Sequence, residues 1–342
     1  MKNITLGSTG IVAPQNGFGC LPIQRDDTNI AVKLLEQAYD AGVTFFDTAR
    51  AYTDSEEKVG IAFKGKDRNS FYLATKTRAL TVEDFWKDLE TSLSKLQMDY
   101  VDIYQFHQAD KCFKPNDGTG LYEAMLEAKN KGLIKHIGIT THKCEIALEA
   151  AKSGLYETLQ YPFSYLASDV DLEIVKACKE NNVGFIAMKG LAGGLLTNSK
   201  ACYAYLSQFD NVMPIWGIQR QTELDEWLSY MLDTPTLNDE IKTFIENDKK
   251  NFGLDFCRGC GYCEPCSVGI KIHDAARTSQ MIRRAPTTYW KSKEWQKEMM
   301  KIEACINCGL CVSRCPYKLN TPKLLRKNLE DYKKIISGEI EV

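Results

Sequence analysis

A strong net charge and a long apolar run are both absent from this sequence, and each absence excludes a class of partner. Its 43 basic and 45 acidic residues are interspersed, and the formal net charge of −2 favours neither nucleic acid nor an anionic membrane surface. The opening stretch MKNITLGSTG has no apolar run long enough for a signal peptide, and no later stretch approaches the length of a membrane span. We therefore expect a cytoplasmic protein that binds neither nucleic acid nor a membrane.

Cysteine, by contrast, is abundant, and its distribution separates two kinds of residue. The thirteen cysteines form an odd number that fits a disulfide framework poorly. Five occur singly and are expected to be packing residues, because free cysteine is among the most buried residue types: Cys20, Cys112, Cys144, Cys178 and Cys202. The other eight form two tight groups, CRGCGYCEPC and CINCGLCVSRC, which are expected to be metal ligands.

Between Asp27 and about Leu232, short apolar strands alternate with amphipathic helical segments. The first pair is NIAVKLLEQAYDAG with VTFFDTA, and the last strand, VMPIWGIQ, is followed by TELDEWLSYML. With NGFGCLP near the start there are eight strands, and continuously apolar strands indicate a parallel sheet covered by helices on both faces. Eight such units predict a closed (β/α)₈ barrel of the TIM type. An open doubly wound sheet is disfavoured, because the first strand lacks a GxGxxG turn.

Segments on either side of the barrel have their own patterns. Upstream, ITLGSTGIVAPQ predicts a hairpin that turns at residues 8–10 and closes the lower end of the barrel. Downstream, we place the barrel at residues 1–235, a polar helical connector at 236–256 and a cysteine-rich domain at 257–342. Within that domain KIHDAARTSQMIRR and SKEWQKEMMKI predict two helices, and TPKLLRKNLEDYKKII predicts a basic amphipathic helix.

Polar residues follow consecutive apolar strands where a barrel of this type carries its reacting groups. Asp47 and Tyr52 belong to FFDTARAY, Lys76 ends LATKT, and His107 ends YQFH. Each residue has an ordinary alternative as a helix cap, a packing tyrosine, a solvated lysine or a core histidine. Four such residues in this order favour a catalytic set instead.

These four residues and their strand order resemble the aldo-keto reductase family over roughly residues 1–232. The resemblance implies reduction of an aldehyde, ketone or sugar-like carbonyl by hydride from a nicotinamide cofactor. Tyr52 would then be the general acid, and the Lys76 ammonium would lower the phenol's pKa from its ordinary value of about 10. Asp47 would keep Lys76 charged, and His107 would orient the carbonyl.

The same resemblance implies a set of cofactor contacts. Thr140, Thr141 and Gln160 match positions at the nicotinamide amide, and Met188 matches the position against the ring face. Gly217 and Arg220 fall at the amino end of a helix, which can bind an anion, and Glu226 matches an adenosine contact. Arg220 favours NADP(H) over NAD(H), its alternative being a solvated cap. No phosphate-binding pattern specifies flavin, although its absence does not exclude that cofactor.

The second cysteine group, Cys305, Cys308, Cys311 and Cys315 followed by proline, has the spacing of a bacterial ferredoxin run. The first group, Cys257, Cys260, Cys263 and Cys266, has one residue fewer before its fourth cysteine, which leaves a zinc site as an alternative. Together the groups resemble a two-cluster ferredoxin, in which each fourth cysteine ligates the other cluster. That resemblance implies one [4Fe–4S] cluster on Cys257, Cys260, Cys263 and Cys315, and a second on Cys305, Cys308, Cys311 and Cys266.

The predicted fold is therefore an α/β protein, a (β/α)₈ barrel with a C-terminal, mostly helical ferredoxin-like iron–sulfur domain. Three functional interpretations follow from it. In the first, the barrel reduces a small-molecule carbonyl, or oxidises the alcohol, while the clusters exchange electrons with an external ferredoxin or other carrier. In the second, the clusters are structural. In the third, the chain is a redox-sensing or electron-transfer protein whose barrel binds nucleotide without turnover, which the complete catalytic set disfavours.

Overall fold

The computed structural model describes residues 1–252, 256–284 and 288–341, and it divides the chain into two compact units. The first unit comprises Met1–Gly190 with Tyr203–Leu237, and the second comprises Leu191–Cys202 with Asn238–Val342. None of the described helices combines the length and the apolar character that crossing a membrane requires.

The first unit is built on a closed barrel of eight parallel strands, so the predicted (β/α)₈ architecture is confirmed. The strands pair in chain order, and the last closes the ring against the first. They are β3 (Gly17–Gly19), β4 (Phe45–Asp47), β5 (Tyr72–Thr77), β6 (Val101–Phe106), β7 (Ile134–Thr140), β8 (Thr158–Pro162), β9 (Gly184–Met188) and β10 (Val212–Gly217), preceded by β1 (Asn3–Thr5) and β2 (Val12–Pro14).

A helix follows each barrel strand, and the first of them shows how the sequence produces such a helix. In the first helix Asp27 accepts a hydrogen bond from the Asn29 N–H at 2.8 Å, and the buried residues Ala31, Leu34, Leu35 and Ala38 repeat at helical spacing. The helices are α1 (Thr28–Asp40), α2 (Ser55–Ala62), α3 (Val82–Leu96), α4 (Leu121–Asn130), α5 (Cys144–Lys152), α6 (Asp169–Glu180), α7 (Ser199–Leu206) and α8 (Gln221–Leu232).

The predicted N-terminal hairpin is present and closes the amino-terminal end of the barrel. Strands β1 and β2 pair antiparallel, and the buried Ile4 and Leu6 belong to a core that includes the first residue of β4, Phe45. Gly7 bridges to Val183 with φ +55°. A β-carbon at Gly7 would lie 2.1 Å from a backbone nitrogen, so glycine is required there.

The second unit is helical and has a separate apolar core. Buried Trp295, Met299, Leu325 and Tyr332 pack there. Its remaining helices are α9 (Asp239–Phe252), α10 (Ile272–Ala275), α11 (Thr278–Arg284), α12 (Lys293–Met300), α13 (Leu310–Ser313) and α14 (Thr321–Ile336).

The predicted helices of this unit are present with one difference. The helices α12 and α14 lie where SKEWQKEMMKI and TPKLLRKNLEDYKKII predict them. The helix predicted from KIHDAARTSQMIRR is instead two short helices, α10 and α11. The interruption occurs at Arg277, whose N–H bonds the carbonyl of Asp274 three residues earlier, in a tighter turn than an α-helix makes.

Residues 191–202 belong to the second unit, whereas the sequence-based boundaries assign them to the barrel. Two arginines account for this: Arg277 donates to the Gly193 carbonyl at 2.6 Å, and Arg284 donates to the Leu195 carbonyl at 3.1 Å. The segment between β9 and β10 therefore depends on two residues that come 84 and 89 positions later than the carbonyls they bond.

Candidate active site and candidate iron–sulfur sites

The barrel contains a buried ion pair between neighbouring strands. Lys76 of β5 donates to Asp47 of β4 at 2.6 Å and to the Thr48 carbonyl at 2.6 Å, and neither side chain of the pair is more than 2% exposed. Burial lowers the pKa of Lys76 and raises the pKa of Asp47, while their mutual attraction acts in the opposite direction on both. Removing either partner would leave an uncompensated buried charge.

Two buried glutamines complete the hydrogen bonding around Asp47. Gln105 Nε2 donates to Asp47 at 3.4 Å and to Gln160 Oε1 at 3.0 Å, and Gln160 Nε2 donates to Asp47 at 3.4 Å. The side chain of Gln160, one of those expected at the nicotinamide amide, is therefore already hydrogen-bonded within this network. Sequence reasoning missed Gln105, although a glutamine inside the VDIYQF strand, all of it buried, was a readable signal.

Tyr52 and His107 lie beside this ion pair. Their rings meet edge to face with centroids 5.6 Å apart, and Lys76 Nζ lies 5.4 Å from the centre of the Tyr52 ring. The structure thus brings all four residues of the expected catalytic set together at the carboxyl ends of β4 to β6. The loop that carries Tyr52 is fixed to β5, because the Arg50 N–H donates to the Lys76 carbonyl at 3.1 Å.

The electrostatic environment differs from the expectation at Tyr52. Burial raises the pKa of Tyr52, and Asp47 raises it further, whereas the resemblance implies a lowered value. The physical reason is that the Lys76 ammonium bonds Asp47 and Thr48, while a phenolate here would lose its solvation. Burial also lowers the pKa of His107 well below its ordinary value, so the imidazole is neutral near pH 7.

A second buried carboxylate supports the Tyr52 loop and was missed by sequence reasoning. Glu56 is 1% exposed, forms an ion pair with Arg50 and accepts from Thr75 Oγ1 at 2.7 Å. Since Thr75 precedes Lys76 in β5, this link joins both ends of the loop to the strand that carries the lysine. The available signals were the two glutamates of SEE and the threonine that precedes Lys76 in YLATKT.

The residues predicted to contact the nicotinamide differ in burial and in the hydrogen bonds that they already form. Thr140 and Thr141 are both buried at the end of β7. The Thr141 hydroxyl donates to the Ala109 carbonyl at 2.9 Å and accepts from the Lys143 N–H at 3.1 Å, so it stabilises its own loop. Met188 ends β9 and is half-buried, which fits the packing of a ring against it.

The amino end of α8 carries the other predicted contacts. Gly217 ends β10, and Arg220, whose side chain is 69% exposed, has its guanidinium 4.0 Å from the Glu223 carboxylate. That carboxylate accepts from the Gln219 N–H at 2.9 Å and the Arg220 N–H at 3.2 Å, so the expected open anion site already contains an acidic group. Glu226 is exposed one turn later, and its side chain accepts from a tyrosine hydroxyl at 3.2 Å.

The grouped cysteines line two cavities in the second unit. The first cavity encloses about 370 Å³, part of it open solvent, and its cysteines are Cys257, Cys260, Cys263 and Cys315. The second encloses about 420 Å³, part of it open solvent, and its cysteines are Cys263, Cys266, Cys305, Cys308 and Cys311. Cys315 therefore lies at the first cavity and Cys266 at the second, each away from its neighbours in sequence.

The donor chemistry of each cavity fits an iron–sulfur cluster. A [4Fe–4S] cluster binds four thiolates, and each cavity is bordered by at least four thiols, with Cys263 bordering both. The Gly259 N–H already bonds Cys257 Sγ at 3.4 Å. Burial raises the pKa of the Cys257 thiol to about 11, while that N–H and Arg277 lower it. Within the described ranges, no three His, Cys, Asp or Glu side chains are close enough to hold a metal ion, so the thiols border cavities instead of a preformed ion site.

Comparison with known proteins identifies both parts of the chain. The first unit combines a closed (β/α)₈ barrel with a buried lysine–aspartate pair. Residues 17–213, more than half of the chain, match the Aldo/keto reductase family, and the chain belongs to that family. Residues 256–320 match a 4Fe-4S dicluster domain, so an iron–sulfur domain follows the barrel, as the sequence predicted.

Individual relatives are similar to part of this chain. Aldo-keto reductase YhdN of Bacillus subtilis (strain 168) is 31% identical over 220 residues, which are 58% of this chain and 64% of the relative. L-galactose dehydrogenase of Arabidopsis thaliana is 30% identical over 213 residues, 56% of this chain and 66% of the relative. The chain thus spans slightly less than two thirds of each. The holo structure of aldo-keto reductase AKR11C1 from Bacillus halodurans has a TM-score of 0.64 at 23% identity, covering 72% and 96% of the two chains, and supports the fold.

Proposed function

We propose that this protein reduces a small-molecule carbonyl, an aldehyde, ketone or sugar-like compound, with NADPH as the hydride donor. The observation that carries the proposal is the Lys76–Asp47 pair at 2.6 Å beside the edge contact of Tyr52 with His107. Membership of the aldo-keto reductase family supports the substrate class. Reaction with a carbonyl needs a proton donor and a group that orients the oxygen, and these side chains provide both.

Each side chain has a separate role in the proposed reaction. When bound, the nicotinamide supplies a hydride to the carbonyl carbon. Tyr52 Oη donates a proton to the carbonyl oxygen, and its raised pKa keeps the phenol protonated at neutral pH. The neutral His107 imidazole donates a hydrogen bond that orients the same oxygen. Lys76, held by Asp47, places positive charge beside the Tyr52 ring, where the phenolate forms.

The proposal is tested by following NADPH oxidation with a panel of aldehydes, ketones and open-chain sugars. We expect turnover of at least one carbonyl by the anaerobically purified protein. Absence of turnover in a preparation that binds NADPH and retains its iron would contradict carbonyl reduction and favour the redox-sensing alternative.

We expect Arg220→Ala to weaken NADPH binding by roughly 1.5–3 kcal/mol, about ten- to hundredfold in Kd, because a charge-assisted bond to the 2′-phosphate is lost. NADH lacks that phosphate and is the matched control ligand, so its Kd should be nearly unchanged. Glu223→Gln should act in the opposite direction, since it removes the carboxylate 4.0 Å from the Arg220 guanidinium. Fluorescence titration measures all of these values, and equal losses for both nucleotides would remove the preference for NADPH.

We further propose that the second unit holds two [4Fe–4S] clusters with exchanged fourth ligands. The support is the grouping of thiols: Cys315 borders the cavity of Cys257, Cys260 and Cys263, and Cys266 borders that of the second group. Flavin is not required by this arrangement. A direct exchange between hydride chemistry and a one-electron cluster would nevertheless need such a mediator.

Protein purified without oxygen should contain about eight irons and no structural zinc. Cys315→Ser should damage the cluster on Cys257, Cys260 and Cys263, although Cys315 is next to the second group in sequence, and leave the other cluster closer to intact. Iron analysis with EPR of the reduced protein separates the two clusters. Cys144→Ser, in the barrel, is the matched control and should retain all the iron. Four irons with one zinc would establish the zinc alternative for the first group.

A further inference from the structure

The second cavity opens to solvent at an apolar rim. Of the thirteen cysteines, all in described parts of the chain, only Cys308 is exposed. Ile306 and Leu310 border the same cavity and are 64% and 44% exposed, and nearby Val312 is 36% exposed. Large apolar side chains exposed together beside a redox site indicate a surface that another molecule covers.

The chain around this rim is strongly basic although the whole protein is slightly acidic. Residues 304–329 contain five basic side chains and no acidic one, whereas the formal net charge of the chain is −2. All five are exposed, and none has an ion-pair partner in the described ranges: Arg314, Lys318, Lys323, Arg326 and Lys327. The first acidic residue on this stretch of α14 is Glu330.

Two of these basic residues are attached to the cavity itself. Arg326 donates to the side chain of Asn307, and Arg314 donates to the Pro265 carbonyl at 3.3 Å. Asn307 and Pro265 both border the second cavity. Two of the five positive charges are therefore held at the border of the second cavity, and the other three belong to the same stretch of chain, which has no acidic residue.

We propose that this rim, consisting of Ile306, Leu310 and Val312 with the five basic residues, is the docking surface for an acidic one-electron carrier protein. The inference rests on the two clusters of the proposed function and adds where the carrier binds and which charge it has. One electron would leave the reduced carrier, which would thereby be oxidised, and the second [4Fe–4S] cluster, held by Cys266, Cys305, Cys308 and Cys311, would be reduced by it from 2+ to 1+. No bond or proton moves. Complementary charge accelerates such encounters, and the small apolar centre suits a transient complex.

The test uses the full protein with Lys318→Glu/Lys323→Glu, because neither lysine side chain bonds the cysteine loops in the part of the chain that the structure describes. The matched control is Lys33→Glu/Lys87→Glu on α1 and α3 of the barrel, which changes the net charge equally. The probe is a reduced, acidic plant-type [2Fe–2S] ferredoxin, and stopped-flow absorbance follows electron transfer to the oxidised protein. At low salt we expect the rim variant to react about tenfold more slowly than wild type, with the control within about twofold. The difference should vanish near 1 M salt, where the Debye length is ~3 Å.

Two further measurements separate docking from cluster loss and from the carbonyl chemistry. Iron content and the EPR of dithionite-reduced variants should match wild type, and Ile306→Ser should weaken binding of the oxidised ferredoxin without changing the spectrum. NADPH-dependent carbonyl reduction, measured without carrier, should be unaffected in the rim variant. Docking here is overturned if the rate is independent of salt, if the control slows equally, or if a basic carrier such as cytochrome c reacts with the same salt dependence. Absence of two clusters would overturn both the docking inference and the proposed cluster content.

Discussion

Tyr52→Phe should lower kcat for carbonyl reduction by about 10²–10⁴-fold while leaving the affinity for NADPH nearly unchanged. Only the phenol oxygen is removed, so the ring keeps its edge contact with His107 and the buried Lys76–Asp47 pair is not touched. Steady-state kinetics and a nucleotide titration measure the two quantities separately. A loss confined to kcat identifies a group that acts in the transition state.

Tyr39→Phe is the matched control. It removes a hydroxyl on α1 that hydrogen-bonds the Ser70 hydroxyl at 2.7 Å. That variant should keep wild-type kcat. A Tyr52→Phe enzyme with more than about a tenth of wild-type kcat would rule out Tyr52 as the sole acid. The pH profile gives a second check. Since burial raises the pKa of Tyr52, the proton donor stays loaded through neutral pH, and kcat should fall only on the alkaline side, above that pKa.

Lys76→Met should destabilise the barrel by about 3–5 kcal/mol and also abolish most activity. The methionine leaves Asp47 as an uncompensated charge in a site where neither side chain was more than 2% exposed. Chemical denaturation measures the loss of stability. The double variant Asp47→Asn/Lys76→Met removes both charges and should be more stable than the sum of the single losses predicts.

The exposed pair of Lys179 with Asp210 is the matched control, at 2.8 Å but with side chains 59% and 65% exposed. Lys179→Met should cost no more than about 1 kcal/mol, because solvent screens such pairs. Any residual activity of Lys76→Met should have its alkaline limb at higher pH, since Asp47, now unopposed, raises the pKa of Tyr52 further. An unshifted limb, or equal destabilisation by Lys179→Met, would contradict the role given to the buried pair.

Sequence alone predicted the barrel and the convergence of its polar residues for a specific reason. Continuous apolar strands report burial on both faces, and parallel strands place their carboxyl ends at one edge. Asp47, Lys76 and His107 could therefore be grouped without knowing any distance. The direction of the Tyr52 pKa could not be predicted, because it depends on how far burial and Asp47, which raise it, outweigh the Arg78 guanidinium, which lowers it.

Residues recognised only in the structure share a different property. Gln105 and Glu56 are polar side chains in buried positions whose meaning depends on which atom they meet across the barrel. A single sequence shows their polarity and not their partner. The contact of Glu223 could have been predicted. This residue is three positions after Arg220, the spacing at which an acidic side chain bonds the backbone N–H at the start of a helix.

The second unit is discontinuous in the chain, and this has a consequence for synthesis and for dissection. Residues 191–202 leave the ribosome well before Arg277 and Arg284. The guanidinium groups of these arginines donate the hydrogen bonds that the Gly193 and Leu195 carbonyls accept. The crossover from β9 to β10 must therefore wait for the carboxyl-terminal module before it reaches its final packing. A truncation after Leu237 would remove the hydrogen-bond partners of this crossover. We therefore expect that residues 191–202 do not reach their final packing in a truncated chain.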